Sequence, residues 1–355
     1  MYPRLLIDKS KFRHNLRYML DKAHQHGLSV MAVSKVFCAD PELVKILVEE
    51  EVDYIADSRI QNLKGISSDI PKVLLRLPMF HEAKEVVEFS DISLNSELET
   101  IQELNHQAYH LEKKHGVIIM IDLGDLREGI FDEQEVYETV KEVLQLEYIE
   151  LKGIGVNLTC YGGIIPTPDI LEQLVEYKIR IEEKFNIKLE IISGGNSSNI
   201  ELMMEGNIPF GINNIRLGEA IVLGRETAYG NGIENLYNDA IMMEAEVIEV
   251  KKKPSIPIGT IGMNAFGKKP EFEDKGERIR AIIAIGKQDV DHLELIPYDT
   301  IKALGSSSDH IIMDVTDGYN IYTIGDSIMF NLTYASVLSL FTSKYVKRLY
   351  LDESL

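Results

Sequence analysis

The stretch "LSVMAVSKVFCADPELVKIL", residues 28–47, carries a short apolar run that ends on Ser34 and Lys35, and a proline-started amphipathic segment follows almost at once. Strand, tight turn and helix in that order make one βα unit. The lysine stands where a buried strand stops. Read alone, it is an ordinary solvated strand end. Placed at the mouth of a closed barrel, the same lysine is positioned for carbonyl chemistry through its amine.

The unit recurs along the first two-thirds of the chain. Strand patterns follow as "VDYIADS" (52–58), "KVLLRLP" (72–78), "DISLNS" (91–96), "VIIMIDLG" (117–124), "LKGIGVNLT" (151–159), "LEIISGG" (189–195) and "NNIRLGEAI" (213–221). Helical segments such as "SELETIQELNHQAYHLEKKHG" and "TPDILEQLVEYKIRIEEKF" lie between them, with apolar residues at three- and four-residue spacing. Eight such units predict a (β/α)8 barrel over residues 1–230. A doubly wound open sheet is the rival, and it rarely needs eight strands in series. After residue 230 the texture changes to short alternating strands punctuated by Gly, Pro, Asp and Ser, with one helical segment near the end. A mostly β domain is expected over 231–355. The opening strand "RLLID" fits either domain.

Composition narrows the partners. A net charge of −20 over 355 residues disfavours nucleic acid and anionic membranes. No run is apolar enough to span a bilayer, and the first residues lack a signal-peptide pattern, so the cytoplasm is the default expectation. Two distant cysteines, Cys38 and Cys160, make neither a disulfide framework nor a metal site.

In a barrel of this kind the active site forms at the carboxyl ends of the strands. Those positions hold Lys35; Asp57, Ser58 and Arg59; Arg76; Asn95 and Ser96; Arg127; Asn157, Thr159, Cys160 and Tyr161; Ser193, Asn196, Ser197 and Ser198; and Arg216 with Gly218. The Gly/Ser-rich loop after the seventh strand and the glycine after the eighth suit a phosphate, because backbone N–H groups approach closely where no Cβ intervenes. A phosphate cup facing a single lysine is the layout that pyridoxal phosphate requires. An arginine such as Arg216 at the pyridine nitrogen would not give up its proton, which suits brief carbanion chemistry.

The segments "AVSKV", "IADSRIQNL", "SLNSELETI", "NLTCYGG", "SGGNSS" and "IRLGEAIVLG" resemble the fold-type III pyridoxal-phosphate enzymes of the alanine racemase family. Together with "GMNAFGKKPEFEDKGERIRAIIAIGKQDVD" and "SSSDHIIMDVTD", the pattern is most similar to the branch that acts on ornithine. The resemblance implies that Lys35 is the Schiff-base lysine and one of two racemising bases. It places Arg127 near the cofactor's phenolic oxygen and the substrate carboxylate, and Arg216 at the pyridine nitrogen. Ser197, beside Asn196 and with the backbone of Gly218 and Glu219, corresponds to the phosphate cup. Asn157 stands where the family has a histidine against the ring. Met313 corresponds to a methionine whose backbone meets the substrate carboxylate from the partner chain, so a head-to-tail homodimer is implied.

One departure matters. The family's opposite-face base is a tyrosine, and the best-matching segment, "NAFG", has Phe266, which cannot move a proton. Asp289, Asp291, Asp309, His310 and Tyr298 are alternatives in the β domain, with Asp309 and His310 taken as candidate catalytic residues; Cys160 and Tyr161 are alternatives on the barrel. The family's late tyrosine over the phosphate is also missing, with Lys344 nearest in register. For a longer substrate such as ornithine, Asp289 or Asp309 is expected to receive the terminal ammonium. Alanine, lysine and serine remain competing substrates. A carrier that only holds pyridoxal phosphate is the non-enzymatic rival, and the residues after the barrel weigh against it. A diamine-forming decarboxylase or an aldolase-like lyase would need a cysteine–aspartate motif or a metal cluster that the sequence lacks.

Overall fold

A computed structural model of the chain describes residues 1–263, 266–267 and 269–351. The eight βα patterns close on themselves. The strands β2 (Ser29–Val33), β3 (Tyr54–Asp57), β4 (Lys72–Leu74), β5 (Ile92–Asn95), β6 (His115–Met120), β7 (Ile149–Gly155), β8 (Ile191–Ser193) and β9 (Asn214–Leu217) form a parallel barrel, sealed by β9 pairing with β2. Met31 and Val33, Ala56, Val73, Ile92 and Leu94, Ile118 and Met120, and Ile191 pack into one core cluster contributed by six of these strands. Branched aliphatic side chains dominate it, as in a filled barrel interior. A Cβ on Gly153 would lie 1.7 Å from the Ile191 carbonyl oxygen, so β7 and β8 meet this closely only with glycine there.

The helices follow from local signals. Helix α1 (Lys9–Gln25) precedes the barrel strands. In α2 (Pro41–Glu49) proline opens the first turn, and the Asp40 carboxylate caps the amides of Glu42 and Leu43. The short α3 (Ile60–Lys64), α4 (Ala83–Phe89) and α5 (Leu98–His110) follow β3, β4 and β5. Asp132 caps α6 (Glu133–Val143), and Thr167 with Pro168 starts α7 (Pro168–Phe185). Two short helices, α8 (Ile200–Met204) and α9 (Glu219–Leu223), follow the last two barrel strands.

The remaining residues form one sheet. Its order is β12 (Leu295–Pro297), β15 (Ser327–Leu332), β10 (Ile241–Pro254), β11 (Glu277–Ile283), β14 (Ile311–Asp314) and β13 (Lys302–Ser306). The first strand, β1 (Arg4–Asp8), pairs with β10 and with β16 (Lys347–Leu351), and α10 (Tyr334–Thr342) starts on a Thr333 capping box. The chain therefore divides into Phe12–Asn238, and Met1–Lys11 with Asp239–Leu355. The break expected after residue 230 falls later because the following loop is tied to the barrel. Ile233 donates its N–H to the Gly224 carbonyl, Tyr237 donates its N–H to Asn15 Oδ1, and the Tyr237 carbonyl accepts from Asn15 Nδ2.

Candidate active site

The turn after β2 presents Lys35. Ser34 is bound twice to the neighbouring strand: its N–H donates to the Ala56 carbonyl at 2.8 Å, and its hydroxyl donates to Asp57 Oδ2 at 2.6 Å. Asp57 Oδ1 accepts from the Arg59 amide at 2.8 Å and from Asn62 Nδ2 at 3.0 Å. Cys38 and Ala39 both take positive φ, which turns the chain sharply away and leaves Lys35 at the bend. The lysine ammonium makes no hydrogen bond or ion pair among the described residues. Burial holds its pKa below the usual lysine range; Cys160 and Asp57 work against that shift, Arg127 and Arg216 with it. A lysine so placed spends more time as the free amine, its nucleophilic form.

Arg216 on β9 is the opposite pole. It is 4 % exposed, and its fork donates to Ser193 Oγ at 2.6 Å, to the Val156 carbonyl at 2.7 Å and to Asn157 Oδ1 at 3.2 Å. No carboxylate pairs with it among the described residues. Burial pulls its pKa down to about 10, with the like charge of Arg127 adding to the effect and Cys160 and Glu128 opposing it. Ser193 passes its own proton to Asn214 Oδ1, and Asn214 in turn holds the Ser29 hydroxyl, so the guanidinium is locked by a chain of neutral groups.

Two buried polar atoms on the loops after β7 and β8 lack partners among the described residues. Asn157 Oδ1 accepts from Arg216 and from Asn196, yet its Nδ2 donates to nothing; the Ser198 hydroxyl is equally unmatched. Orphans of this kind are costly in a finished core and mark a place built for another group. Asn196 is largely engaged in structure: its Oδ1 caps Ser198 N, while its Nδ2 reaches Asn157 Oδ1, the Leu158 carbonyl and Cys160 Sγ. Ser197 is buried in the same turn. Gly218 starts α9, where a Cβ would crowd Val33 at 3.1 Å, and the Glu219 carboxyl, raised by burial, pairs with Arg225 at 2.6 Å.

The loops after β6 and β7 are organised by acids that pattern reasoning missed. Asp125 is buried and accepts from the amides of Thr159, Cys160, Tyr161 and Ile164. Burial pushes its pKa up, but these donors outweigh that and hold it below the carboxylate range. Glu128 binds Arg127 in a two-pronged pair that raises the arginine's pKa. An aspartate inside "LGDLREG" is a turn signal. Only the fold reveals that its partners lie on the next strand's loop.

Lys35, Arg127, Asn157, Asn196, Ser197, Arg216, Gly218 and Glu219 thus all sit at the carboxyl ends of barrel strands. Hydrogen bonds join Arg216, Asn157 and Asn196, and electrostatics couple Lys35 to Arg127, Cys160 and Arg216. The other expected residues belong to the second unit. Asp309 and His310 are exposed on the turn between β13 and β14, Asp309 accepting from Ser308 Oγ at 2.7 Å. The Asp289 carboxylate accepts from Ser343 Oγ at 2.6 Å. Met313 is fully buried in β14, paired with Ala281 and Ala303. Phe266 carries the Lys287 ammonium 4.9 Å from its ring centre; Asn264 and Ala265 before it lie outside the described residues.

Comparison with known proteins identifies the family and the fold. Residues 7–226 match the alanine racemase N-terminal domain. The chain is 49 % identical to an ornithine racemase of Acetoanaerobium sticklandii across 98 % of its own length and 99 % of the relative's. It is 39 % identical to a lysine racemase of Thermotoga maritima, covering 99 % of both. Among solved structures, alanine racemase from Bartonella henselae with covalently bound pyridoxal phosphate superposes with a TM-score of 0.74 at 19 % identity, over 99 % of this chain and 100 % of that one. With a closed eight-stranded parallel barrel, a domain match over residues 7–226 and relatives of 49 % and 39 % identity over nearly its full length, the chain belongs to the alanine racemase family.

Proposed function

We propose that the protein racemises a free amino acid, ornithine before others, with pyridoxal phosphate held on Lys35. The observation that carries this reading is the donor set around Arg216. A buried guanidinium without a counter-ion, the unmatched Asn157 Nδ2 and the unmatched Ser198 hydroxyl together suit an acceptor-rich ligand. Pyridoxal phosphate, when bound, supplies the electron sink that makes the α-proton of an amino acid removable.

The chain's own groups divide the work. Lys35 Nζ would hold the aldehyde carbon in the resting protein and, once the substrate amine has displaced it, would carry the α-proton on its side of the substrate. Arg216 would face the ring nitrogen and keep its own proton, since even a pKa of about 10 lies well above that of a pyridine. Ser197 and Ser198, with the backbone at Gly218 and Glu219, hold the phosphate. Arg127, aligned by Glu128, receives the substrate carboxylate.

Racemisation needs a second proton carrier on the far face. His310 and Asp309 are proposed for that role from a second copy of the chain, in a head-to-tail dimer. Supporting this are exposed apolar side chains on the loops after β6 and β7, Leu126, Phe131 and Tyr161, which a monomer leaves in water. Cys160 is the competing carrier within the barrel. The diamino-acid relatives favour ornithine, whose terminal ammonium is assigned to Asp289 or Asp309.

The test is to incubate the purified protein with a panel of L-amino acids and follow loss of optical rotation, beside a Lys35→Ala control. A yellow protein that racemises ornithine fastest, with a colourless and inert variant, supports the reading. A yellow protein that washes deuterium into no amino acid is a carrier and contradicts it.

A further inference from the structure

We propose that Asp57 is a positioning residue for Lys35, fixing its turn through the Ser34 hydroxyl and setting a buried negative charge against the two arginines of the mouth. The inference rests on Lys35 being the cofactor lysine, but its test reads the lysine without cofactor.

Asp57 is fully buried at the end of β3 and meets no lysine or arginine in an ion pair among the described residues. Every group that touches its carboxylate is a donor: the Ser34 hydroxyl at 2.6 Å, the Arg59 amide at 2.8 Å and Asn62 Nδ2 at 3.0 Å. Burial pushes the Asp57 carboxyl above the usual carboxylate range, and these donors, which suit the ionised form, work against that shift. Starting the five-residue α3 requires only the Arg59 and Asn62 contacts. The Ser34 contact goes further. It reaches across the strand pair to the residue directly before Lys35, whose amide is already held by the Ala56 carbonyl. With both its amide and its hydroxyl held, Ser34 has little freedom to swing the lysine.

The charge has a second effect. The ionisable groups that act on Lys35 are Cys160, Arg127, Asp57, Arg216 and Glu219. The two arginines disfavour the ammonium; Cys160 opposes them, and so does Asp57, the carboxylate tied to the lysine's turn through Ser34.

Two substitutions separate charge from position. Asp57→Asn keeps the shape and removes the charge; Ser34→Ala keeps the charge and removes the link. In apoprotein, the pH dependence of Lys35 acylation by an amine-reactive probe, read by peptide mass mapping, gives the lysine's titration directly. Asp57→Asn is expected to move its midpoint down by roughly one pH unit, and Ser34→Ala to leave it in place. Stopped-flow capture of pyridoxal phosphate is expected to slow several-fold in Ser34→Ala and to recover in Ser34→Thr, which restores the hydroxyl. An unmoved midpoint in Asp57→Asn overturns the electrostatic role. Equal capture by Ser34→Ala, Ser34→Thr and wild type overturns the positional role, and this comparison stands even if Asp57→Asn does not fold. A wild type that retains no cofactor on Lys35 contradicts the racemase reading and leaves the titration result intact.

Discussion

Single residues in this barrel are held by what surrounds them, and the clearest case is Arg216. Three neutral acceptors fix its planar fork through two nitrogens, so the single nitrogen of a lysine could replace one arm of the fork but not both. Arg216→Lys is expected to weaken pyridoxal phosphate binding by roughly 30-fold, about 2 kcal/mol, in a fluorescence titration. Unchanged affinity would remove the arginine from the site. His115 is a second buried titratable group, bonded through Nε2 to the Ser93 hydroxyl at 2.8 Å. Burial, helped by the charge of Lys113, lowers its pKa to about 3. The unfolded chain takes up that proton near pH 6.5. The stability contributed by the neutral ring is therefore complete above pH 6.5 and is lost as pH falls toward 3. His115→Gln should lose about 2 kcal/mol less than wild type in urea titrations between pH 7 and pH 5. Equal losses would show that the ring is not the acid-sensitive element. For the second proton, alanine at Cys160 and at His310 gives opposite expectations. Under the dimer reading, His310→Ala loses α-proton exchange with one enantiomer of ornithine and keeps it with the other, while Cys160→Ala keeps both. The reverse pattern would move the second carrier onto the barrel.

Elements were the most legible level. The eight barrel strands announce themselves as β-branched runs ending in polar residues, because a strand buried on both faces needs continuous apolar sequence. Strands β12 and β13 were missed. "LIP" carries a proline and "KALGS" alternates weakly, so both form through their neighbours β15 and β14 rather than through their own pattern. The partner of β1 was not legible either, since register with β10 and β16 is decided by tertiary contact alone. The acids behave likewise: Asp57 and Asp125 are plain turn residues in sequence, and their roles arise from backbone amides that the fold delivers. Contact at element scale has one strict point. Gly153→Ala would drive a methyl into the Ile191 carbonyl and separate β7 from β8. The variant is expected to lose at least about 3 kcal/mol, seen as a Tm drop of several degrees or as insoluble expression. A Tm within a degree of wild type would mean that the pair breathes far more than the geometry allows.

At the scale of the molecule, the sequence pointed to the barrel, the β unit and the cofactor lysine, whereas the second base and the substrate's far end stayed open. Under the proposed dimer both come from a second copy of the chain, which no single-chain pattern encodes. Mixed dimers address them. Lys35→Ala and His310→Ala, each inactive alone, should regain up to about a quarter of wild-type ornithine turnover when co-expressed, because random pairing restores one intact site in half of the dimers. No recovery would confine the site to one chain. Beneath all of this lies one proposed bond, between Lys35 and the cofactor. Borohydride reduction of the purified holoenzyme followed by peptide mapping reads it directly: the account predicts a single pyridoxyl-bearing peptide modified at Lys35. Label on another lysine, or none on a protein that still racemises ornithine, would contradict it.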